Sequence, residues 1–505
     1  MAEQKPRRAI AEYAGLALLY LLLSFALLAP FSLDPSRRLP DDGDSLQGIW
    51  ILWWSGSHLL RDRDELFDGN AYYPHPRGLV YSEPMLAEGL LALPLFELLE
   101  NRVLAVNLFT MATLTLSALA FHLLVRELTG SHVGAFLGAL LYAFNAYVLS
   151  HLAQLQLVSV QWIPLALYCL HRFFAEPRAR YAVGLVVFTL LVGLSSFYYL
   201  AFFSVALAIL VPAYLSRSSW RKLGRSIPWL VGCGLVALLL LHGVTAPYRE
   251  IFDRYGFTGE PAGTDLSLFF IPPRGSLLYG DAGAYRLMSY FVGYISLVFA
   301  AAGIVFFARR EDRTIPVAYL LVGIVAFVCA GGPELFVSGR YLGPGLYRIL
   351  ELAGPFEKLR EPARFAVLVF LVLGVFVARG SEALLKRLPG KARFVAITGI
   401  ACLLLAEHWS PARTRGTAVP TGEAIPDAYP WLGNHPEQGP VAELPVRPFR
   451  EIRRTSMEAY LSTIHGRPIL FAKPSFYPPA MELLQWELRE FPDAHSLALL
   501  QALDV

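Results

Sequence analysis

The sequence predicts an all-α polytopic membrane bundle of about eleven transmembrane helices. Interfacial helices are expected on its outer surface, with a small C-terminal α/β domain outside the membrane. Three observations carry this. Hydrophobic residues make up 55% of the 505 and charged residues only 16%, against about a quarter charged in a soluble globular chain. Apolar runs near the roughly 20 residues a helix needs to cross a bilayer recur along residues 1–409. Basic residues gather in alternate loops between those runs. A net charge of +3 gives no reason to expect a nucleic-acid partner. Cys169, Cys233, Cys329 and Cys402 stand singly in apolar runs and form neither a metal-ligand spacing nor a disulfide framework. The absence of a P-loop argues against nucleotide hydrolysis.

The expected spans are 13–31, 104–125, 133–150, 158–174, 181–197, 199–215, 228–245, 290–307, 316–330, 363–377 and 392–408. The first follows Lys5, Arg7 and Arg8, is longer than a signal-peptide core, and has no clean small-residue cleavage site after it. It reads as a retained anchor. Arg126, Arg172/Arg178/Arg180, Arg217/Arg221/Lys222/Arg225, Arg309/Arg310/Arg313 and Arg379/Lys386/Arg387/Lys391/Arg393 all share the side of the amino terminus. The positive-inside rule makes that side cytoplasmic. The first outer loop (33–103), loops 246–289 and 331–362, and the tail 410–505 then face outward.

The first outer loop opens Asp41-Asp42-Gly43-Asp44-Ser45. Leu46, Ile49, Trp50 and Trp53 follow at helical spacing, with Trp54 beside them, and read as a short amphipathic helix whose indoles sit among headgroups. A second such segment, 85–99, is expected to lie in the interface or re-enter. Asp-Ser before an apolar periodic run is a helix N-cap pattern, which accounts for Asp44 alone. Asp41 and Asp42 need another account. Clustered carboxylates raise one another's pKa, supply a general base, or hold a divalent cation such as Mg or Mn, here through Asp42 and Asp44. Each role suits transfer from a phosphate-linked donor.

Gly43-Asp44 with Gln47, together with Leu66-Phe67-Asp68-Gly69-Asn70-Ala71-Tyr72-Tyr73-Pro74, His151-Leu152-Ala153-Gln154-Leu155-Gln156 and Leu359-Arg360-Glu361-Pro362-Ala363-Arg364-Phe365, resembles the GT-C superfamily of membrane glycosyltransferases. More closely it resembles the bacterial YfhO-like and RgtA/B/C/D-like membrane proteins. The resemblance covers most of the chain as diffuse motifs. It implies a polyprenyl-phosphate sugar donor, a glycan, lipid or protein acceptor, inverting transfer, and a catalytic Asp on the first outer loop of a protein in the bacterial cytoplasmic membrane. Better-known members carry Asp-Glu at that place. Asp44, Asp42 and Asp41 are therefore all candidates for the base, with Asp44 favoured.

Other residues offer a binding role beside a plainer one. Tyr72, Tyr73 and His75 suit sugar stacking and proton transfer, or form a fixed Tyr-Tyr-Pro corner. Glu83 and Glu88 flank and enter an apolar segment, where partial burial raises a carboxyl pKa. His151, Gln154 and Gln156 line a cavity at the outer end of the third span, or satisfy backbone at a turn. Pro164 is expected to kink the fourth span. Outward Arg249, Arg254 and Arg274 pair with nearby acids or with a donor phosphate. Arg360 and Arg364, four residues apart around Glu361-Pro362, suit a phosphate, or Glu361. In the tail, 441–446 reads as a strand and 479–491 as a helix. The resembling proteins continue beyond a segment like 500–505, so a fragment or a lost last strand is expected. Two further readings stand beside the enzyme: a secondary transporter, and a non-catalytic assembly or lipid-handling protein of the same fold.

Overall fold

A computed structural model describes residues 4–256, 261–281, 288–309, 311–411, 413–446 and 451–505. Arg310, used above for orientation, lies outside the described residues. The chain begins with α1 (Gln4–Leu27), the short β1 (Arg38–Leu39), α2 (Asp44–Arg61) and α3 (Leu86–Leu98). It continues through α4 (Arg102–Thr129), α5 (His132–Ala143), α6 (Ala146–Ser150), α7 (Leu155–Val158), α8 (Trp162–Ala175), α9 (Ala179–Ser195), α10 (Phe197–Arg217) and α11 (Trp220–Tyr255). Then come α12 (Tyr294–Ala308), α13 (Thr314–Ala330), the hairpin β2 (Glu334–Val337) and β3 (Arg340–Pro344), α14 (Tyr347–Glu351), α15 (Ala366–Leu385) and α16 (Gly390–His408). The tail holds β4 (Thr417–Ala418), α17 (Ala428–Asn434), α18 (Ile452–His465), α19 (Pro479–Glu487) and α20 (Ala494–Ala502).

Among the described residues, seven helical segments are long and apolar enough to cross a membrane: Ile10–Leu27, Arg102–Thr129, His132–Ser150, Leu155–Ala175, Phe197–Arg217, Leu223–Tyr255 and Pro362–Leu385. The apolar helices α9, α12 and α13 are shorter. The last expected span falls on α16, which carries Lys391, Arg393 and Glu407. Two details differ from expectation. Asn145 breaks the third span by capping α6, its side chain accepting from Val148 N at 2.9 Å. Pro164 sits in the first turn of α8, where its missing N–H costs no helical bond, so it kinks nothing.

The membrane core is built around α15, which packs against α5, α12 and α13. Its contact with α12 depends on two glycines. A Cβ on Gly380 would stand 1.9 Å from Phe299 O, and one on Gly303 2.1 Å from Phe376 O. Backbone at that distance cannot yield, so Gly380→Val is expected to cost about 3 kcal/mol or more by overpacking. The check is loss of monodisperse protein in detergent. Gly399→Ala, whose Cβ meets nothing within 4 Å, should leave the protein intact.

The 36 residues of α11 extend about 54 Å at 1.5 Å each, against a hydrocarbon core of about 30 Å. Its most apolar stretch is not buried by protein. Its outer end reaches the extramembrane part, where Ile251 is buried.

The first outer loop and the tail share one apolar core, separate from the membrane core. Leu46, Ile49, Trp50, Tyr72, Leu79 and Tyr81 pack there with Tyr460, Leu470, Phe471 and Leu484. Backbone bonds tie the two segments: β1 pairs antiparallel with β4 in the register Arg38↔Ala418 and Leu39↔Thr417. Ile469 N donates to Asn70 O at 2.8 Å and Tyr73 N to Ile469 O at 3.0 Å. This corrects two expectations. The α2 aromatics are not headgroup anchors: Trp50 and Trp54 are buried, with their indole N–H groups donating to Asn70 Oδ1 at 2.6 Å and Leu66 O at 3.0 Å. The tail is helical apart from the two-residue β4 and an isolated bridge at Val441, so residues 442–446 form no strand among the described residues. The α3 helix, 13 residues long, reaches only about 20 Å and packs on α2 rather than crossing.

Candidate functional site

The three carboxylates of the opening loop do three different things. Asp41 Oδ1 accepts from Gly43 N at 3.1 Å and Ser45 N at 2.9 Å, so Asp41, not Asp44, satisfies the free N–H groups at the start of α2. Asp42 is ion-paired with Arg453, 2.7 Å away, whose side chain is 70% exposed. Asp44 stands in the first turn of α2 and faces the protein. Its Oδ2 accepts from Gln154 Nε2 at 3.0 Å, and its Oδ1 is ion-paired with Lys473 Nζ.

Lys473 begins an irregular stretch of the tail that bends at Ser475 and Phe476. Its carbonyl accepts from Tyr72 OH at 2.9 Å. Ser475 N and Phe476 N both donate to Tyr81 O, at 2.8 and 3.1 Å. The Arg360 guanidinium lies over the Phe476 ring, 4.5 Å from its centre. Asp44 and Arg360 therefore contact the two ends of the same short stretch, Lys473 to Phe476. Arg360 N donates to Tyr198 OH at 3.2 Å, its Nε is buried without a hydrogen bond, and Arg364 lies over the same Tyr198 ring at 4.3 Å. The expected pairing of Glu361 with these arginines is not formed; Arg364 pairs instead with Glu83 at 3.9 Å.

Glu83 also caps α10. Its Oε1 accepts from Ser196 Oγ at 2.8 Å and Phe197 N at 3.0 Å, and the Gln156 amide faces it. Burial raises its pKa, while Arg364, Ser196 and Phe197 N pull it back down. Glu88 is more isolated. Both its oxygens are buried without a hydrogen bond, and burial pushes its carboxyl up to about 7, with the Ser195 and Ser159 hydroxyls opposing. A carboxyl protonated in the folded protein but ionised in the unfolded chain loses stability as pH rises. Between about pH 4.5 and 7 that loss is on the order of 3 kcal/mol. Glu88→Gln should remove this component, seen as a smaller drop in melting temperature from pH 5 to pH 8 than in the wild type.

The remaining candidates divide. His75 lies between the Tyr81 and Tyr255 rings at 5.9 and 6.0 Å, with a pKa lowered by burial, and Tyr73 packs against the outer core. Both border the Tyr81 wall of the site. His151 is buried, its Nδ1 at 2.7 Å from Tyr147 O and its ring 4.3 Å from that of Tyr147, so it serves helix packing. Arg249 bonds within α11 to Thr245 and Arg274 pairs with Asp281 at 3.3 Å.

A divalent cation does not suit this donor set. Asp42 and Asp44 face different partners, and an ammonium already occupies the cation position beside Asp44. Among the described residues no three His, Cys, Asp or Glu side chains converge. Reading the sequence missed Lys473 and Tyr198. The signal for Lys473 was present: a lone lysine within Leu470-Phe471-Ala472-Lys473-Pro474-Ser475-Phe476 lies in an outward, otherwise apolar stretch.

The multi-pass helical bundle thus carries Asp44 and Arg360 against one stretch of its tail. The family model for dolichyl-phosphate-mannose-protein mannosyltransferase matches residues 82–245. The arabinofuranosyltransferase AftD from Mycobacteria superposes with a TM-score of 0.56 at 18% identity, covering 95% of this chain and 33% of its own. A structure of that protein with the substitution R1389S gives 0.54 at 18% identity, covering 91% and 33%. The chain thus spans about a third of the length of AftD. The oligosaccharyltransferase AglB from Archaeoglobus fulgidus, bound to an inhibitory peptide and a dolichol-phosphate, gives only 0.46 at 14% identity, over 90% of this chain and 64% of its own. No curated protein matches the sequence. The family model covers about a third of the chain, and the likeness to AftD is one of fold.

Proposed function

We propose that the chain is an inverting glycosyltransferase that moves a sugar from a polyprenyl-phosphate donor to a hydroxyl of a glycan, lipid or protein acceptor. The reaction takes place at the outer face of a bacterial cytoplasmic membrane, with the amino terminus inside. The observation that carries the reading is that Asp44 is ion-paired with Lys473, on the stretch whose Phe476 ring lies under Arg360. Asp44 takes the acceptor proton as general base. The freed oxygen attacks the anomeric carbon on the face opposite the phosphate, and the C1–O bond breaks with its electrons left on the phosphate. Arg360, with a buried guanidinium N–H unsatisfied, receives that charge. Arg364, held by Glu83, sets the position of the Tyr198 wall. Tyr73, His75, Gln154 and Gln156 border the sugar. The mannosyl- and arabinofuranosyl-transferase names of the matching proteins support a glycosyl donor in general.

The test is transfer of labelled sugar from polyprenyl phosphate in sealed proteoliposomes. The expected result is a covalent glycoside with stoichiometric release of polyprenyl phosphate. Accumulation of unmodified substrate inside the vesicles, with no glycoside formed, would establish the carrier reading instead.

A further inference from the structure

We propose that Lys473, from the tail, is the resident cation of this site: its ammonium receives the donor phosphate beside Asp44 where other phosphate-handling sites use a divalent metal. The inference rests on the glycosyl-transfer reading above and adds the group that completes it.

Three features carry it. First, Nζ is ion-paired with Asp44, and the lysine side chain is only 17% exposed. The ammonium lies close to the loop backbone, 4.0 Å from where a Cβ on Gly43 would stand. Second, the lysine is clamped from both sides: Tyr72 OH holds its carbonyl at 2.9 Å, and the Tyr81 carbonyl holds the N–H groups of Ser475 and Phe476. Tyr72 is itself buried and sits at φ 67°, a left-handed conformation that a bulky residue adopts only when its surroundings fix it. Third, the same stretch places Phe476, three residues on, under the Arg360 guanidinium, which ties the two cationic groups to one short segment of the tail. An ammonium has three N–H donors. One meets Asp44 and two remain for an anion, so Lys473 binds phosphate without releasing the base. Burial lowers the lysine pKa while nearby Asp41 opposes the shift, which keeps the ammonium dependent on its anions. A metal ion entering beside it would meet like charge. In the transfer step Lys473 gains and loses no proton: the acceptor proton goes to Asp44 and the leaving electrons stay on the phosphate.

The experiment measures equilibrium binding of polyprenyl monophosphate to the full chain in nanodiscs, a readout that needs no turnover. Wild-type binding should be unchanged by EDTA. K473M should bind at least about tenfold more weakly, as expected for loss of a hydrogen bond to a charged group, and K473R should stay within about threefold. Unaltered binding in a folded K473M, loss of wild-type binding in EDTA with recovery on adding Mg or Mn, or no binding by the wild type would each overturn the proposal. The EDTA arm uses the wild type and stands even if K473M does not fold. Failure of the glycosyl-transfer reading looks different: the wild type would bind the lipid phosphate in this pattern, yet transfer no sugar from it.

Discussion

Asp44→Asn is expected to lower sugar transfer by about 10²–10⁴-fold, the range a positioned general base contributes. The asparagine keeps an oxygen for Gln154 Nε2 but loses the capacity to take a proton and the charge that pairs with Lys473, so some loss of melting temperature accompanies it. The neighbouring acids provide the contrast. Asp42→Asn removes an ion pair with an arginine whose side chain is 70% exposed, an interaction worth at most about 1 kcal/mol, so transfer should hold within a few fold. Asp41→Ala removes the acceptor for Gly43 N and Ser45 N and should cost about 1 kcal/mol of stability, as lost helix caps do. Assays of the three variants side by side check the assignment. Equal loss in Asp42→Asn, or full activity in Asp44→Asn, would remove Asp44 as the base.

Glu83→Ala should be the most damaging single change near the site. It strips the acceptor from Ser196 Oγ and Phe197 N at the start of α10 and leaves Arg364 without its carboxylate. Breaking one side of a buried pair costs about 3–5 kcal/mol. Glu83→Gln keeps an oxygen for the α10 terminus and gives up only the charge, so it should recover part of that loss. Thermal unfolding of both variants in detergent checks the order. An alanine variant as stable as the glutamine one would mean that Arg364, not the helix end, sets the cost.

The membrane part was legible because its signals are local. A run of apolar residues near 20 identifies a helix without knowledge of its neighbours, and each expected span falls mainly on helix. The outer part was less legible because its determinants lie far apart in sequence. Trp50 carries the composition of an interface anchor, yet it is core: its indole N–H donates to Asn70 Oδ1, and the Asn70 amide in turn donates to Arg467 O at 3.0 Å. The tail's expected strand at 441–446 lost to pairing of the loop and tail through Ile469. At the site, Asp44, Gln154 and Arg360 were readable as polar residues at outer helix ends. Asp41's capping role was not, because the Asp-Ser pattern points to the adjacent Asp44. Lys473 was hidden because it arrives from some 430 positions away, and no local periodicity announces such a partner.

The long helix α11 has a consequence for how the protein responds to its surroundings. Its apolar stem is left uncovered by protein, while its tip bonds to the part built from the first loop and the tail: Tyr248 OH donates to Ser82 O at 3.0 Å, and the Phe252 ring lies 4.7 Å from that of Phe476. Ser82 adjoins Glu83, and Phe476 carries Arg360. A thicker or thinner bilayer that tilts this mast therefore shifts the walls around the acid and the guanidinium together, which makes acyl-chain length a built-in tuning variable for the chemistry above it.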